Sequence, residues 1–341
     1  MPLIMKNASK WGFAAVPEVT YGTAPAIDPA TNGIRLYQPA GVKVGYSYDG
    51  KRQGKSPGTY AQVPRVGAEG RMADLEWKCE AAGAGEAYSA TTLPLAHLAL
   101  LACGMKAVVV TTAGSETVTY TPGDDPDFVS LACNSYEDGQ LFAVQGILGD
   151  SLEISATLGQ IALFDAKLKG IVAATPTDAA IPGTFAYNAT IGAKATQMAL
   201  QFGTGTPFAP ARVDKFSLKS KLGLTERYYD NANGRHGGFF FGEQREWSLE
   251  VDIEAPPLKA ATPYYDATSL GAWLLHELGD QFPVTLTVGS AQYKQFTVSA
   301  ATAQMGAPAR DKKGAVACIK LALDLMPSSE TTNDEVSIVY N

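Results

Sequence analysis

The stretch Trp247-Ser248-Leu249-Glu250-Val251-Asp252-Ile253-Glu254-Ala255 sets every apolar residue at an odd position and every polar one at an even position. Side chains on a strand alternate between faces, so a period of two demands an extended segment with one buried and one wet face. The same segment occurs earlier in the chain. Glu69–Ala81 (EGRMADLEWKCEA) aligns with Glu243–Ala255 (EQREWSLEVDIEA) at an offset of 174, and six of the thirteen positions are identical. Leu75, Trp77 and Cys79 in one copy, and Leu249, Val251 and Ile253 in the other, are assigned to the core, because a one-residue slip would expose the whole set. The opposite face carries Asp74, Glu76 and Glu80, offset by Lys78, and Glu250, Asp252 and Glu254.

The repetition extends beyond this strand, and a repeat missed is a fold misread. Leu95–Gly104 aligns with Leu270–Gly279 at an offset of 175. Gly159, Ile161, Phe164 and Leu168 align with Gly314, Val316, Ile319 and Leu323 at 155. The offset drops by 20 because the first half carries an extra segment, about Ala107–Asp125, whose Val and Thr runs around Gly114-Ser115 read as a β-hairpin. Further strands are expected at Gly41–Tyr48, Ser151–Thr157, Gln160–Leu168, Asp214–Gly223, Val284–Val288, Gln295–Ser299 and Ala315–Leu325. Helices are expected only at Pro94–Cys103 and Ser269–Leu278, each followed by a glycine of the kind that closes a helix. The chain therefore reads as a mainly β protein of two tandem domains with one helix each. An arm spans 1–35, the first domain 36–172, a connector with some extended strand 173–195, and the second domain 196–341.

Chemistry is sparse. His97 and His276 sit in the expected helices without a His or Cys four residues on, so the helical zinc motif is missing, and His236 lies in a polar loop. Gly45-Tyr46-Ser47-Tyr48-Asp49 breaks the nucleophile-elbow pattern at its last glycine, and Gly203-Thr204-Gly205-Thr206-Pro207 lacks the Gly-Lys-Ser/Thr of a phosphate loop. Asp124-Asp125-Pro126-Asp127 has no downstream calcium ligands. The carboxylates Glu250, Asp252 and Glu254 stand about 6.6–7 Å apart along one strand face, which implies no cleft for general acid–base work. Cys79, Cys103, Cys133 and Cys318 are scattered, as expected of buried free thiols. The expectation is a protein without enzymatic activity, cofactor or metal. With 27 Lys and Arg against 34 Asp and Glu, the net charge of −7 argues against a nucleic-acid grip through phosphates. Neither a cleaved signal nor an apolar run of about 18 residues is evident, so no secretory or membrane route is expected.

Residues Glu18-Val19-Thr20-Tyr21-Gly22-Thr23-Ala24-Pro25 resemble an opening common in tailed-bacteriophage tail tube (major tail) proteins. The tandem β halves, one helix per half and a long polar loop before each repeated strand extend that resemblance to the double-domain branch of the family. It implies that each domain is two packed antiparallel sheets with a flanking helix. Three chains would then form a pseudo-hexameric ring, and rings would stack into a tube that conducts DNA without binding it. It also implies a virion protein, made and assembled in the bacterial host cytoplasm, with tape-measure, tail-tip and tail-terminator proteins as partners. Asp74, Glu76, Glu80, Glu250, Asp252 and Glu254 would line the channel, an outer solvated sheet face being the alternative. Lys51, Arg52 and Lys55 in the loop 49–60, and Arg235 in the loop 229–238, would dock on a neighbouring subunit. A charged fraction of 18%, against about 25% in typical domains, suits a subunit that buries surface against its own copies. A duplicated carbohydrate-binding or adhesive β-sandwich of a virion or cell surface is the rival reading.

Overall fold

The structure is a computed structural model that describes residues 10–48, 69–124, 128–137, 139–185, 187, 190–195, 197–203, 213–227, 238–242, 244–256, 270–329 and 331–341. It is mainly β, with large antiparallel sheets in a sandwich-like arrangement. The first half runs β1 (Trp11–Pro17), α1 (Pro29–Asn32), β2 (Lys43–Tyr48), β3 (Glu69–Glu80), α2 (His97–Ala102), β4 (Met105–Val110), β5 (Thr117–Pro122), β6 (Leu131–Glu137), β7 (Gln140–Thr157), β8 (Leu163–Val172) and β9 (Thr177–Asp178). The second runs β10 (Met198–Phe202), β11 (Val213–Lys221), β12 (Leu224–Arg227), β13 (Gly238–Phe241), β14 (Glu246–Glu254), α3 (Ala272–Leu278), β15 (Gln281–Val288), β16 (Phe296–Met305), β17 (Ala309–Lys313), β18 (Val316–Met326) and β19 (Ser337–Tyr340).

Strand pairing repeats as the sequence does. In the first half β1 pairs β6, β2 pairs β3, β3 pairs β8, and β7 pairs β6, β8 and β9. The same six pairings recur as β10 with β15, β11 with β14, β14 with β18, and β16 with β15, β18 and β19. The register agrees to the residue. Leu75 lies opposite Leu168, and their sequence counterparts Leu249 and Leu323 lie opposite each other. The odd residues of β3 and β14 from Leu75 to Cys79 and from Leu249 to Ile253 are all buried, and Phe13 on β1 packs edge-on to Trp77 at 5.1 Å between ring centroids. That contact sets the β1 layer face to face with the β3 layer.

Among the described residues, two antiparallel pairings join the halves. Ser151–Thr157 of β7 pairs with Lys215–Lys221 of β11, and Val118–Tyr120 of β5 pairs with Ile338–Tyr340 of β19. Through the first of these, β2, β3, β8, β7, β11, β14, β18 and β17 follow one another in a continuous sheet.

Several elements differ from the sequence reading. A third helix, the one-turn α1, stands where none was expected, capped by Asp28, and the two expected helices are shorter: α2 starts at His97, after a turn in which the His97 N–H bonds the Pro94 carbonyl at 3.0 Å. α3 starts at Ala272, and Gly279 closes it at φ 66°. The expected hairpin is present as β4 and β5. β7 is a strand of 18 residues, not the seven expected, because register shifts at Gln145/Leu148 and Gly149/Ser151 let it bend between layers. Gly146, at φ 59°, permits the first bend, where any other side chain would be strained. Gly146 and Gly149 thus stand at the corners of one continuous strand.

α2 carries His97, whose Nδ1 lies 2.9 Å from the Tyr120 hydroxyl, and Tyr120 meets Tyr340 edge-on across the β5–β19 seam. Burial there lowers the imidazole pKa from its ordinary value to about 4. The folded state thus holds His97 neutral, whereas the unfolded chain takes up the proton near 6.5. Stability from this group is complete above about pH 6.5 and is lost as pH falls toward 4. Denaturant titrations should show a loss of about 2 kcal/mol between pH 6.5 and 5, absent from His97→Gln. An equal loss in the variant would reject the assignment.

Candidate functional site

The exposed side of the continuous sheet brings the sequence-singled carboxylates onto one surface. Even residues of β3 and β14 point away from the core, so Asp74, Glu76, Glu250, Asp252 and Glu254 share it, and the β7–β11 pairing makes the two sets parts of one sheet. Strand alternation alone puts them there.

The surface is not a crowd of like charges. Asp74 stands opposite Lys169, Glu76 opposite Lys167 and Lys78 opposite Asp165. Glu153 stands opposite Lys219, and Asp252 lies between Lys215 and Lys320. Lys219 Nζ reaches Glu250 Oε1 at 2.8 Å, Lys78 reaches Asp165 at 3.4 Å and Lys320 reaches Asp311 at 3.0 Å. Partial burial raises the Asp252 carboxyl above its ordinary range, against the pull of Lys320 and Lys215. Exposed pairs of this kind are worth about 0–1 kcal/mol each, so their main effect is on the surface potential. The lysine rows of β8 and β11 were visible in the same alternation as the carboxylates, for example Lys215-Phe216-Ser217-Leu218-Lys219. Looking only at the repeated strand overlooks them.

Glu80 has a different role. Its Oε1 accepts from Arg35 Nη2 at 3.1 Å and its Oε2 from the Gly192 N–H at 2.7 Å, so it anchors the connector rather than facing open space. Lys51, Arg52, Lys55 and Arg235 lie outside the described residues.

The opening motif is a structural clamp. Glu18 is buried, and its carboxylate accepts from the Gly22 N–H at 2.8 Å, the Ser130 hydroxyl at 2.7 Å and the Gly146 N–H at 2.8 Å. It thus fixes the bend of β7. Tyr21 reaches across to the second half, its hydroxyl accepting from the Phe239 N–H on β13 at 2.7 Å. The sequence marked the motif but not its partners, which lie more than a hundred residues away.

The described residues hold no group of three or more His, Cys, Asp or Glu arranged to bind a metal, and no helix among them is long and apolar enough to cross a membrane. Cys79, Cys103, Cys133 and Cys318 are buried free thiols, and burial pushes the Cys79 thiol up to about 12. His276 donates from Nδ1 to the Met305 carbonyl at 3.0 Å. Neither a scan against protein-family models nor a search among curated proteins finds a match for this chain.

Glu18→Ala would leave buried N–H groups without an acceptor, a loss on the order of 3 kcal/mol. Chemical denaturation of the variant checks this, and a change below about 1 kcal/mol would show that the clamp is dispensable.

Proposed function

We propose that the chain is a structural subunit of a phage tail tube, with three copies forming a ring of six similar units and rings stacking around a DNA channel. The observation that carries this reading is the sixfold-suited design: one set of strand pairings occurs twice in the chain, and both copies contribute to one sheet with a charged, solvent-facing side. A duplicated unit of this kind can close a cyclic assembly with half the number of chains. Each half corresponds to a tail-tube domain, and the chain needs no enzymatic chemistry, cofactor or metal. Its partners are other copies of itself and the tape-measure, tail-tip and terminator proteins of a virion tail, to which it is added in the host cytoplasm.

In this reading the charged side faces the channel. Lysines beside the carboxylates keep either sign from forming a continuous stripe, so phosphates are neither strongly held nor strongly repelled. That suits a conduit through which DNA slides.

Electron microscopy of the purified protein should show rings or tubes of uniform bore, and native mass spectrometry should give a ring of three chains. Particles without a bore, or a ring of six chains, would overturn the reading or its stoichiometry respectively. The channel assignment has its own test. The triple variant E250K/D252K/E254K sets new lysines beside Lys215 and Lys320, creating a basic stripe. Tubes should still form, but DNA should leave them more slowly, with the delay relieved by salt. Ejection at the parental rate, with these positions open to a bulky external reagent, would place this side on the outside.

A further inference from the structure

An open pocket of about 590 Å³ lies on the seam between the halves, where the chain leaves β5 and where it enters β19. The first half contributes Asp124 and Phe128 to its lining, and the second Phe241, Arg245, Met326 and Glu335. Phe128 and Phe241 meet edge-on at 4.7 Å between ring centroids, and both are half-buried, so each keeps part of its ring toward open space. They close over Gly104, the glycine after α2, which stands at φ 74°. A Cβ there would lie 3.3 Å from the Phe241 ring and 3.4 Å from the Phe128 ring. No side chain fits beneath the pair, and the apolar wall depends on that glycine.

The polar side of the pocket is built around Arg245. Its Nη1 donates to the Gly123 carbonyl at 2.7 Å, and its Nη2 to Asn333 Oδ1 at 2.7 Å and Glu335 Oε1 at 3.2 Å. The guanidinium therefore ties the two halves together and is already engaged by acceptors from both. The acceptors are less completely used. Glu335 gives Oε1 to Arg245, but its Oε2 is buried and has no hydrogen-bond partner among the described residues. Asp124, which is exposed, takes Asn333 Nδ2 on Oδ1 at 2.6 Å. A carboxylate offers two oxygens and about four lone-pair sites, so both groups have room for further donors. A buried acceptor without a donor is costly, and a donor brought by a ligand removes that cost. One guanidinium against two carboxylates leaves the lining with a net charge of −1.

We propose that this pocket binds a small organic cation, an ammonium group on an apolar body, across the seam of the two halves. The ammonium supplies donors to Asp124 and Glu335, and the body lies against Phe128, Phe241 and Met326. Aromatic faces carry the negative side of the ring quadrupole and attract a cation, while a thioether adapts to the shape of what it meets. A pocket of this size, mostly apolar with a few convergent polar groups, is what a small ligand requires. Anions are disfavoured, because the two carboxylates repel them and Arg245 is already held by Glu335. Since the ligand touches both halves, its binding stabilises their junction. The inference is independent of ring assembly.

The test uses the full-length chain and three compounds of one shape: phenethylammonium, neutral 2-phenylethanol and anionic 3-phenylpropanoate. Saturation-transfer NMR should show saturable binding of phenethylammonium with a Kd on the order of 1 mM, as suits so small a molecule. The neutral and anionic compounds should bind roughly tenfold more weakly or worse. At about ten times its Kd, phenethylammonium should raise the thermal midpoint by about 2 °C. D124N keeps an oxygen for Asn333 and removes the charge, and should weaken phenethylammonium roughly fivefold. M326W, at a half-buried position, fills the pocket and should abolish binding while the midpoint of the unliganded chain changes little. Should M326W not fold, D124N and the comparison of the three compounds decide alone. Equal binding of the three compounds, tighter binding of the anion, or phenethylammonium binding unchanged in D124N overturns the proposal. So does a failure of phenethylammonium to saturate by about 10 mM.

Discussion

The backbone pairing between β7 and β11 is the constraint on which the rest of the structure depends. It turns two repeats into one sheet, because seven residues of each strand exchange ladder bonds across the halves. Without it the charged rows of β3 and β14 would belong to separate surfaces. β7 can serve both layers only because it bends, and the bend is held by Glu18, whose carboxylate takes the Gly146 N–H out of the ladder. A buried carboxylate with three donors is an expensive feature to misplace, which accounts for a polar residue at that depth.

The second organising element is the polar, solvent-facing side of that sheet. The acidic rows of β3 and β14 each lie beside a lysine row, on β8 and β11 respectively, so the net charge of the chain is not a guide to the character of this surface. Cross-strand neighbours of opposite sign stabilise a sheet modestly and smooth its potential.

The duplication was legible because strand alternation and helix-closing glycines survive in both copies. Trp247–Ala255 and Ala73–Ala81 could be aligned by eye, and their buried and exposed faces followed from period two alone. The extra hairpin was legible as well, from Val and Thr runs around a turn. β1, β6, β10, β12, β13, β17 and β19 were not: β17 is exposed along its length and shows no buried face, β1 and β6 carry runs of buried residues, and the alternation of β10 and β19 spans only five and four residues. The full length of β7 was hidden by Gly146 and Gly149, which in isolation argue for a break. Arg35 and Gly192 as partners of Glu80 were also invisible, since nothing local to Glu80 signals them.

The sequence by itself determined the repeat, the strand faces and the identity of the core side chains. Those are consequences of local periodicity and of the cost of exposing apolar surface, both of which are written in consecutive residues. Only the tertiary structure decided which strands meet: that β5 pairs with β19, that β7 bridges the halves, and that each acidic row faces a lysine row. Such pairings depend on backbone groups that every residue shares, so no residue type announces them. They are settled by the folded geometry, which brings backbone segments far apart in sequence side by side.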